Sequence, residues 1–127
     1  MVKYLGLSIL LISGIAFGQR SFYEINEVCE DDYDRQNIVI ECYDVTNVSI
    51  TRDYNNKYFA FFAGNQKTII PFTSWYDLGS GIEYYYYNQL IAAVVFQNNS
   101  RVPWAIAVVD KKNNRGRRYV IKSWQQE

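Results

Sequence analysis

Acidic residues cluster in one stretch of the chain, with a spacing that suggests oxygen ligands for a metal ion. In a twelve-residue window that starts at Glu30, positions 1, 3, 5 and 12 hold Glu30, Asp32, Asp34 and Glu41. This is the spacing of oxygen ligands in the calcium-binding loop of an EF-hand. The sixth position is Arg35 instead of the glycine that the loop needs for its turn. The flanking residues also have the pattern of strands instead of helices. We therefore predict no metal site and interpret the stretch as a solvated hairpin tip, with a looser calcium site as the alternative.

The composition excludes several classes of catalysis. The chain has no histidine, so Ser-His-Asp and Cys-His nucleophilic catalysis and histidine-ligated zinc are ruled out. Its two cysteines, Cys29 and Cys42, are predicted to form one disulfide, as an isolated pair in an oxidising compartment usually does. No Gly-rich phosphate loop is present. We predict a protein that is not an enzyme and that holds no cofactor.

Aromatic residues make up 17% of the chain and include 12 tyrosines. Four of the tyrosines are consecutive, at residues 84–87, and successive side chains of a strand point to opposite faces. One pair therefore faces outward, where tyrosine suits protein or glycan recognition because it offers contact area at low entropy cost. The alternative is cross-strand packing that only stabilises the sheet. The predicted aromatic binding residues are Trp75, Tyr76, Tyr84, Tyr85, Tyr86 and Tyr87.

Basic residues cluster near the C-terminus, in a predicted hairpin that contains Arg115, Arg117 and Arg118. Such a cluster could dock an acidic partner, a sulfated glycan or an anionic membrane surface, or simply be a solvated turn. The chain has 13 basic and 13 acidic residues and a formal net charge of zero. We therefore predict no nucleic-acid partner.

The N-terminal residues have the pattern of a secretory signal peptide. Lys3 precedes an apolar segment at residues 4–17, and Ala16 and Gly18 supply the small residues of a cleavage site. The segment is shorter than the roughly 20 residues that a membrane-spanning helix needs. We predict a signal peptide at residues 1–18 and a single secreted, extracellular domain at residues 19–127. On this route the Asn-X-Ser sequences at Asn47 and Asn98 are candidate glycosylation sites.

The rest of the chain consists of short apolar or alternating runs separated by turn residues. We predict strands at residues 21–28, 38–45, 48–54, 58–63, 67–72, 104–110 and 119–124. The apolar segment at residues 82–96 is predicted to bend at Asn88 and Gln89 into two further strands, because a single strand of that length is uncommon. No segment has a convincing helical pattern. The fold class is therefore all-β, an antiparallel β-sandwich of about eight short strands, with a small closed β-barrel as the alternative.

Two of these segments are apolar on both faces, which is typical of strands in the middle of a core. We accordingly predict that Val94, Val95, Ile106 and Val108 are fully buried.

These observations together favour a secreted, non-catalytic recognition or effector module that binds an extracellular protein or glycan through an aromatic surface. A barrel-shaped carrier of a small apolar ligand is one alternative, and it requires an internal cavity. A membrane-active toxin that uses the aromatic and basic surfaces is another. The sequence does not predict an oligomeric state.

Overall fold

The structure, a computed structural model, describes residues 20–32, 38–77, 81–98 and 100–127. The predicted signal peptide at residues 1–18 and the residues Asp34 and Asn99 lie outside the described residues. The described chain forms nine β-strands and no helix. No helix within these ranges is both long and apolar enough to span a membrane. The strands are β1 (Arg20–Asp32), β2 (Ile38–Asp53), β3 (Tyr58–Ala63), β4 (Gln66–Pro71), β5 (Ser74–Asp77), β6 (Ile82–Tyr87), β7 (Leu90–Phe96), β8 (Pro103–Asp110) and β9 (Arg115–Gln126).

All nine strands belong to one antiparallel sheet with the order β4-β3-β2-β1-β9-β8-β7-β6-β5. Strands β1 to β4 form one meander and strands β5 to β9 form a second. The first and last strands of the chain join the two meanders, because β1 pairs with β9 along its whole length, from Ser21 opposite Gln126 to Asp32 opposite Arg115. The C-terminal strand therefore lies at the centre of the sheet.

The sheet is strongly curled, into a half-barrel. Strands β4 and β5 lie at opposite edges of the sheet, yet only Phe72 and Thr73 connect them. The Phe72 N–H donates to the Lys57 carbonyl and the Thr73 N–H donates to the Tyr86 carbonyl, each at 2.9 Å. The edges thus come together at this connection. The predicted all-β antiparallel fold is confirmed, and the curled sheet is consistent with a sandwich or barrel-like description.

Asparagine and glycine residues place the tight turns between strands. Asn88, at the predicted bend, has φ 53° and separates β6 from β7. Gly64, with φ 60°, lies between β3 and β4. Both residue types tolerate positive φ, glycine because it lacks Cβ and asparagine because its short polar side chain bonds locally. At the end of β2, the backbone N–H and side-chain amide of Asn56 both donate to the Asp53 carboxylate, at 3.0 Å.

The predicted strand bounds need three corrections. The segments expected at residues 38–45 and 48–54 form one strand, β2, whose pairing with β1 is interrupted between Asp44 and Val48. Asn47, with φ 57°, lies in this interruption, which is a β-bulge. The bulge breaks the side-chain alternation that a continuous strand shows. The connection expected at Trp75 to Asp77 contains strand β5. The central strands β1 and β9 also extend beyond their apolar residues because each is paired on both sides.

The core lies on the concave face of the sheet, where Ile50, Phe59, Val94 and Ile106 are fully buried. The predicted burial of Val94 and Ile106 is confirmed. Val95 and Val108 are only half-buried, so that part of the prediction is wrong. Val95 alternates with Val94 and faces the convex side. Val108 faces a part of the concave side that is open to solvent.

The predicted disulfide between Cys29 and Cys42 is confirmed. The two residues are directly opposite each other in the β1–β2 ladder, with Cα atoms 4.0 Å apart. The bridge is compatible with an extracellular protein. It closes the hairpin that contains the acidic stretch.

Candidate functional site

Strands β5 and β6 carry most of the aromatic residues that the sequence singles out. The ladder places Trp75 opposite Tyr85 and Tyr76 opposite Tyr84. Alternation then divides these side chains between the two faces of the sheet.

Three tyrosines lie together on the convex face and form what we call the convex aromatic patch: Tyr76, Tyr84 and Tyr86. The rings of Tyr76 and Tyr86 meet edge to face at 5.6 Å, and those of Tyr84 and Tyr86 stack at 6.5 Å between centroids. Tyr76 keeps 52% of its surface exposed. The patch therefore offers contiguous aromatic rings to solvent at one edge of the sheet.

The other predicted aromatic residues, Trp75, Tyr85 and Tyr87, alternate to the concave face. Tyr85 is 1% exposed and meets Phe59 and Phe72 edge to face, with centroids at 4.9 and 4.8 Å. Trp75 lies at the rim of the concave face, where it is 44% exposed and stacks on Tyr85 with ring centroids 6.0 Å apart. Tyr87 is half-buried. Tyr85 thus has a core position and is not available as a surface contact.

A group of hydrogen-bonded polar side chains, all buried or half-buried except Arg101, lies on the concave face beside Tyr85. We call it the internal polar cluster, and it comprises Ser21, Arg52, Tyr54, Glu83, Tyr85 and Arg101. The Arg52 guanidinium donates to Glu83 Oε1 at 2.9 Å, to the Tyr85 hydroxyl at 3.0 Å and to Ser21 Oγ at 2.8 Å. Because Ser21 and Arg52 are on β1 and β2 whereas Glu83 is on β6, the cluster connects the two meanders across the interior.

The Glu83 carboxylate uses both of its oxygens within the cluster. Oε1 accepts hydrogen bonds from Arg52, from the Tyr85 hydroxyl at 2.9 Å and from Tyr54 at 3.4 Å. Oε2 accepts a 2.7 Å bond from Arg101, whose guanidinium also lies 4.2 Å above the Phe96 ring. One carboxylate therefore accepts hydrogen bonds from two arginines and two tyrosines, although the buried Arg52 Nε has no hydrogen-bond partner among the described residues. This arrangement suits a structural anchor, because buried polar groups that bond one another fix the arrangement of the elements that carry them.

The electrostatics of the cluster keep its phenols neutral and its guanidinium charged. Burial raises the pKa of Tyr85 and of Tyr54 well above the usual value, although the Arg52 charge opposes the shift. Burial alone would lower the pKa of Arg52, but the surrounding phenols and Glu83 raise it above its ordinary value. The hydroxyls therefore act as hydrogen-bond donors around a buried ion pair.

The sequence prediction missed this cluster, although one signal was present. Arg52 follows Val48 and Ile50 on the same face of β2, so a charged residue continues an apolar stripe. Such a residue needs a buried partner. Glu83 became identifiable as that partner only when the strand order was known.

The three arginines of the predicted basic surface do not form one patch. Arg118 lies 3.4 Å from Asp31. Arg117, its neighbour in β9, faces the concave side, where it donates a hydrogen bond to the Tyr119 hydroxyl. That bond raises the pKa of Arg117 despite partial burial. Arg115 lies near Asp110, at the end of the β8–β9 ladder. Strand alternation therefore separates Arg118 from Arg115 and Arg117, which line the same hollow of the concave face.

The open part of the concave face contains a cleft of about 380 Å³. Its walls come mainly from β2, β3 and β4, and most of the lining residues are apolar. A second hollow of about 270 Å³ adjoins it and shares Val108, Arg117 and Tyr119. We call the larger one the concave cleft. The residues that line it include Val28, Val45, Val48, Phe61, Val108, Arg117 and Tyr119.

The remaining predicted sites are the two candidate glycosylation sites and the acidic stretch. Asn47 is exposed at the bulge of β2, where its carbonyl accepts the Gly64 N–H at 3.0 Å. Asn98 is exposed in the turn after β7. In the acidic stretch, Glu30 is paired with Glu41 across the β1–β2 ladder, which is strand geometry and not the helix-flanked loop of an EF-hand.

Within the described ranges, the Glu27 carboxylate lies close to the sulfurs of Cys29 and Cys42. Both cysteine sulfurs are bonded to each other, so neither is a thiolate ligand.

No protein-family model matches the chain, and no curated protein or solved structure matches it either.

Proposed function

We propose that the protein is a secreted, non-catalytic recognition protein that binds an extracellular protein or glycan through the convex aromatic patch. The observation that carries the proposal is the grouping of Tyr76, Tyr84 and Tyr86 on a face that no other layer of the described chain covers. Exposed aromatic rings cost solubility unless they are used, and contiguous ones mark interaction surfaces.

The chemistry of the patch supports this role. Each tyrosine combines a rigid ring with a hydroxyl group, so it fills a pocket or stacks on a sugar while it satisfies a polar partner. Tyrosine is among the residues that contribute most to binding energy at interfaces. The patch also adjoins β5, an edge strand of the sheet, so a partner can contact the rings and the strand edge together.

The compartment assigned in this proposal rests on two features. The Cys29–Cys42 disulfide persists in oxidising surroundings, and residues 1–18 have the pattern of a signal peptide. In a eukaryotic secretory route, Asn47 and Asn98 would then be open to glycosylation, since both are exposed.

Screening on a glycan array and on an array of extracellular protein domains tests the proposal. The wild-type chain is compared with a variant in which Tyr76, Tyr84 and Tyr86 are changed to serine. We expect the variant to lose at least about 2 kcal/mol of binding free energy, roughly thirtyfold in affinity. Tyr43→Ser is the matched control, because Tyr43 is 38% exposed but lies on another strand, and it should bind like the wild type.

A docking role for the arginines makes the opposite prediction. Changing Arg115, Arg117 and Arg118 to glutamine would then abolish binding, and raised salt would weaken wild-type binding. If the tyrosine variant binds normally and the arginine variant does not, the aromatic patch is not the recognition surface.

A further inference from the structure

The concave face is filled at one end and open at the other. Tyr85, Phe59, Phe72 and the internal polar cluster pack the filled end. At the open end, Val45, Val48, Phe61 and Tyr119 pack against the core on one side but remain partly exposed on the other. The apolar floor of the concave cleft is therefore continuous with the core and accessible to solvent.

The size and shape of the cleft suit a small ligand. A volume of about 380 Å³ lies at the lower end of the range of small-molecule sites, which are mostly apolar with a few convergent polar groups. Aliphatic and aromatic side chains form most of the wall. An apolar ligand would exclude water from these side chains, and burial of apolar surface favours binding in proportion to the area covered.

One cationic side chain marks where a polar head would bind. Among the described residues that line the concave cleft, Arg117 is the only charged one. Its interaction with the neighbouring Tyr119 hydroxyl raises the pKa of Arg117, and a phenol that accepts a hydrogen bond keeps its own O–H as a donor. Glu30 is directly opposite Arg117 in the β1–β9 ladder and its carboxylate also accepts a 3.1 Å hydrogen bond from Tyr43, so a bound anionic head group would share the Arg117 guanidinium with Glu30. The guanidinium and the phenol therefore present two donors at one end of an apolar cleft.

We propose that the concave cleft binds a free single-chain carboxylate amphiphile, with its hydrocarbon chain along Val45, Val48 and Phe61 and its carboxylate on Arg117 and Tyr119. The charge of Arg117 selects an anionic head, since charge-assisted hydrogen bonds to a carboxylate are about twice as strong as neutral ones. The site is separate from the convex aromatic patch, because the two lie on opposite faces of the sheet.

Titration calorimetry with decanoate, decanol and decyltrimethylammonium, all below their micellar concentrations, tests the assignment. The three probes share one tail and differ in the charge of the head. We expect saturable 1:1 binding of decanoate, with decanol and the cation weaker by about tenfold or more. Arg117→Gln should weaken decanoate binding about tenfold and leave decanol binding unchanged.

Lys122→Gln is the matched control for the charge change. Lys122 is on the same strand as Arg117 but on the other face, where it forms an exposed ion pair with Glu24. This variant should bind decanoate like the wild type. Equal weakening by Lys122→Gln and Arg117→Gln would overturn the assignment, as would tighter binding of the cation or no saturable decanoate binding.

A second variant tests the apolar part of the site. Val45→Trp should fill the cleft from a half-buried position and abolish binding of decanoate and decanol, with a cooperative thermal transition as the check of folding. Unchanged decanoate binding by the folded variant would contradict the proposal. Dissociation of a wild-type dimer by this variant, seen in sedimentation, would show instead that a second copy occupies the cleft.

The triple tyrosine variant separates this inference from the proposed function. It should bind decanoate like the wild type even though it loses binding to the recognition partner. Failure of decanoate binding in the wild type would therefore contradict the concave-cleft proposal alone, and normal partner binding by the variant would contradict the aromatic-patch proposal alone.

Discussion

Tyr84 and Tyr85 are neighbours in β6 with the same chemistry and opposite environments. Tyr85 is 1% exposed, its hydroxyl bonds Arg52, Tyr54 and Glu83, and four aromatic rings surround it. Tyr84 is only half-buried and stacks on Tyr86 at the convex surface. The comparison shows that strand alternation alone separates a residue that holds the fold together from one that is free to serve recognition. The two faces of β6 should therefore respond differently to mutation.

The largest effect is expected when the buried ion pair of the concave face is broken. Glu83→Met leaves the Arg52 guanidinium buried without its carboxylate, which typically costs about 3–5 kcal/mol of unfolding free energy. Arg101 also loses Glu83, but it keeps its 3.4 Å ion pair with Asp77 and is mostly exposed, so it can be hydrated again. Urea denaturation measures the change.

The double variant Arg52→Met/Glu83→Met is the control for this prediction. It removes both charges, so it should be more stable than Glu83→Met alone. Equal destabilisation of the two variants would show that the ion pair is not what Glu83 contributes.

Loss of the disulfide gives an intermediate effect. Cys29→Ser/Cys42→Ser opens a loop of the β1–β2 hairpin, and the chain-entropy estimate is about 3 kcal/mol. The prediction is checked by denaturation of the variant beside the oxidised wild type. An unchanged midpoint would contradict the estimate. It would mean that residual structure already confines this hairpin in the unfolded ensemble without the bridge.

Removing single hydroxyl groups compares the two faces most closely. Tyr85→Phe deletes a hydroxyl that bonds buried charged groups, so we expect a loss of about 1–3 kcal/mol. Tyr84→Phe changes a surface position and should stay within about 0.5 kcal/mol of the wild type. Equal stabilities of the two variants would contradict the division between the faces.

Alkaline pH should destabilise the protein through the interior tyrosines. Burial raises the pKa of Tyr23, Tyr54 and Tyr85 in the folded state, so the unfolded chain loses protons first. The contribution of these tyrosines to the unfolding free energy should be constant below pH ~10 and fall above it, by up to about 1.4 kcal/mol per pH unit for each such tyrosine. Tyr85→Phe should make this slope shallower. A slope that Tyr85→Phe leaves unchanged would show that Tyr85 ionises as readily when folded as when unfolded.

Local features of the fold were predictable because short-range chemistry determines them. The bounds of β3, the turn at Asn88 and the disulfide across one hairpin all follow from alternation, turn residues and cysteine spacing. The pairing of β1 with β9 was not predictable, because no local signal links the two ends of a chain. Arg52 and Glu83 meet only as a result of that pairing, so the internal polar cluster was also missed.

The convex aromatic patch was predictable in part. Alternation identified Tyr84 and Tyr86 as one face of a strand, and the structure adds Tyr76 to that face because β5 is a strand instead of a loop. It assigns Trp75 to the opposite face, against Tyr85. The register of a four-residue edge strand depends on its partner, which a single sequence does not reveal.

The most direct test of the recognition role measures stability and binding on the same variant. Tyr84→Ser/Tyr86→Ser should change the unfolding free energy by only about 1 kcal/mol, while its affinity for the partner identified on the arrays falls roughly thirtyfold. Tyr85→Phe should show the reverse, with lower stability and wild-type affinity once folded. Wild-type affinity in the Tyr84→Ser/Tyr86→Ser variant would contradict the assignment of recognition to the convex aromatic patch.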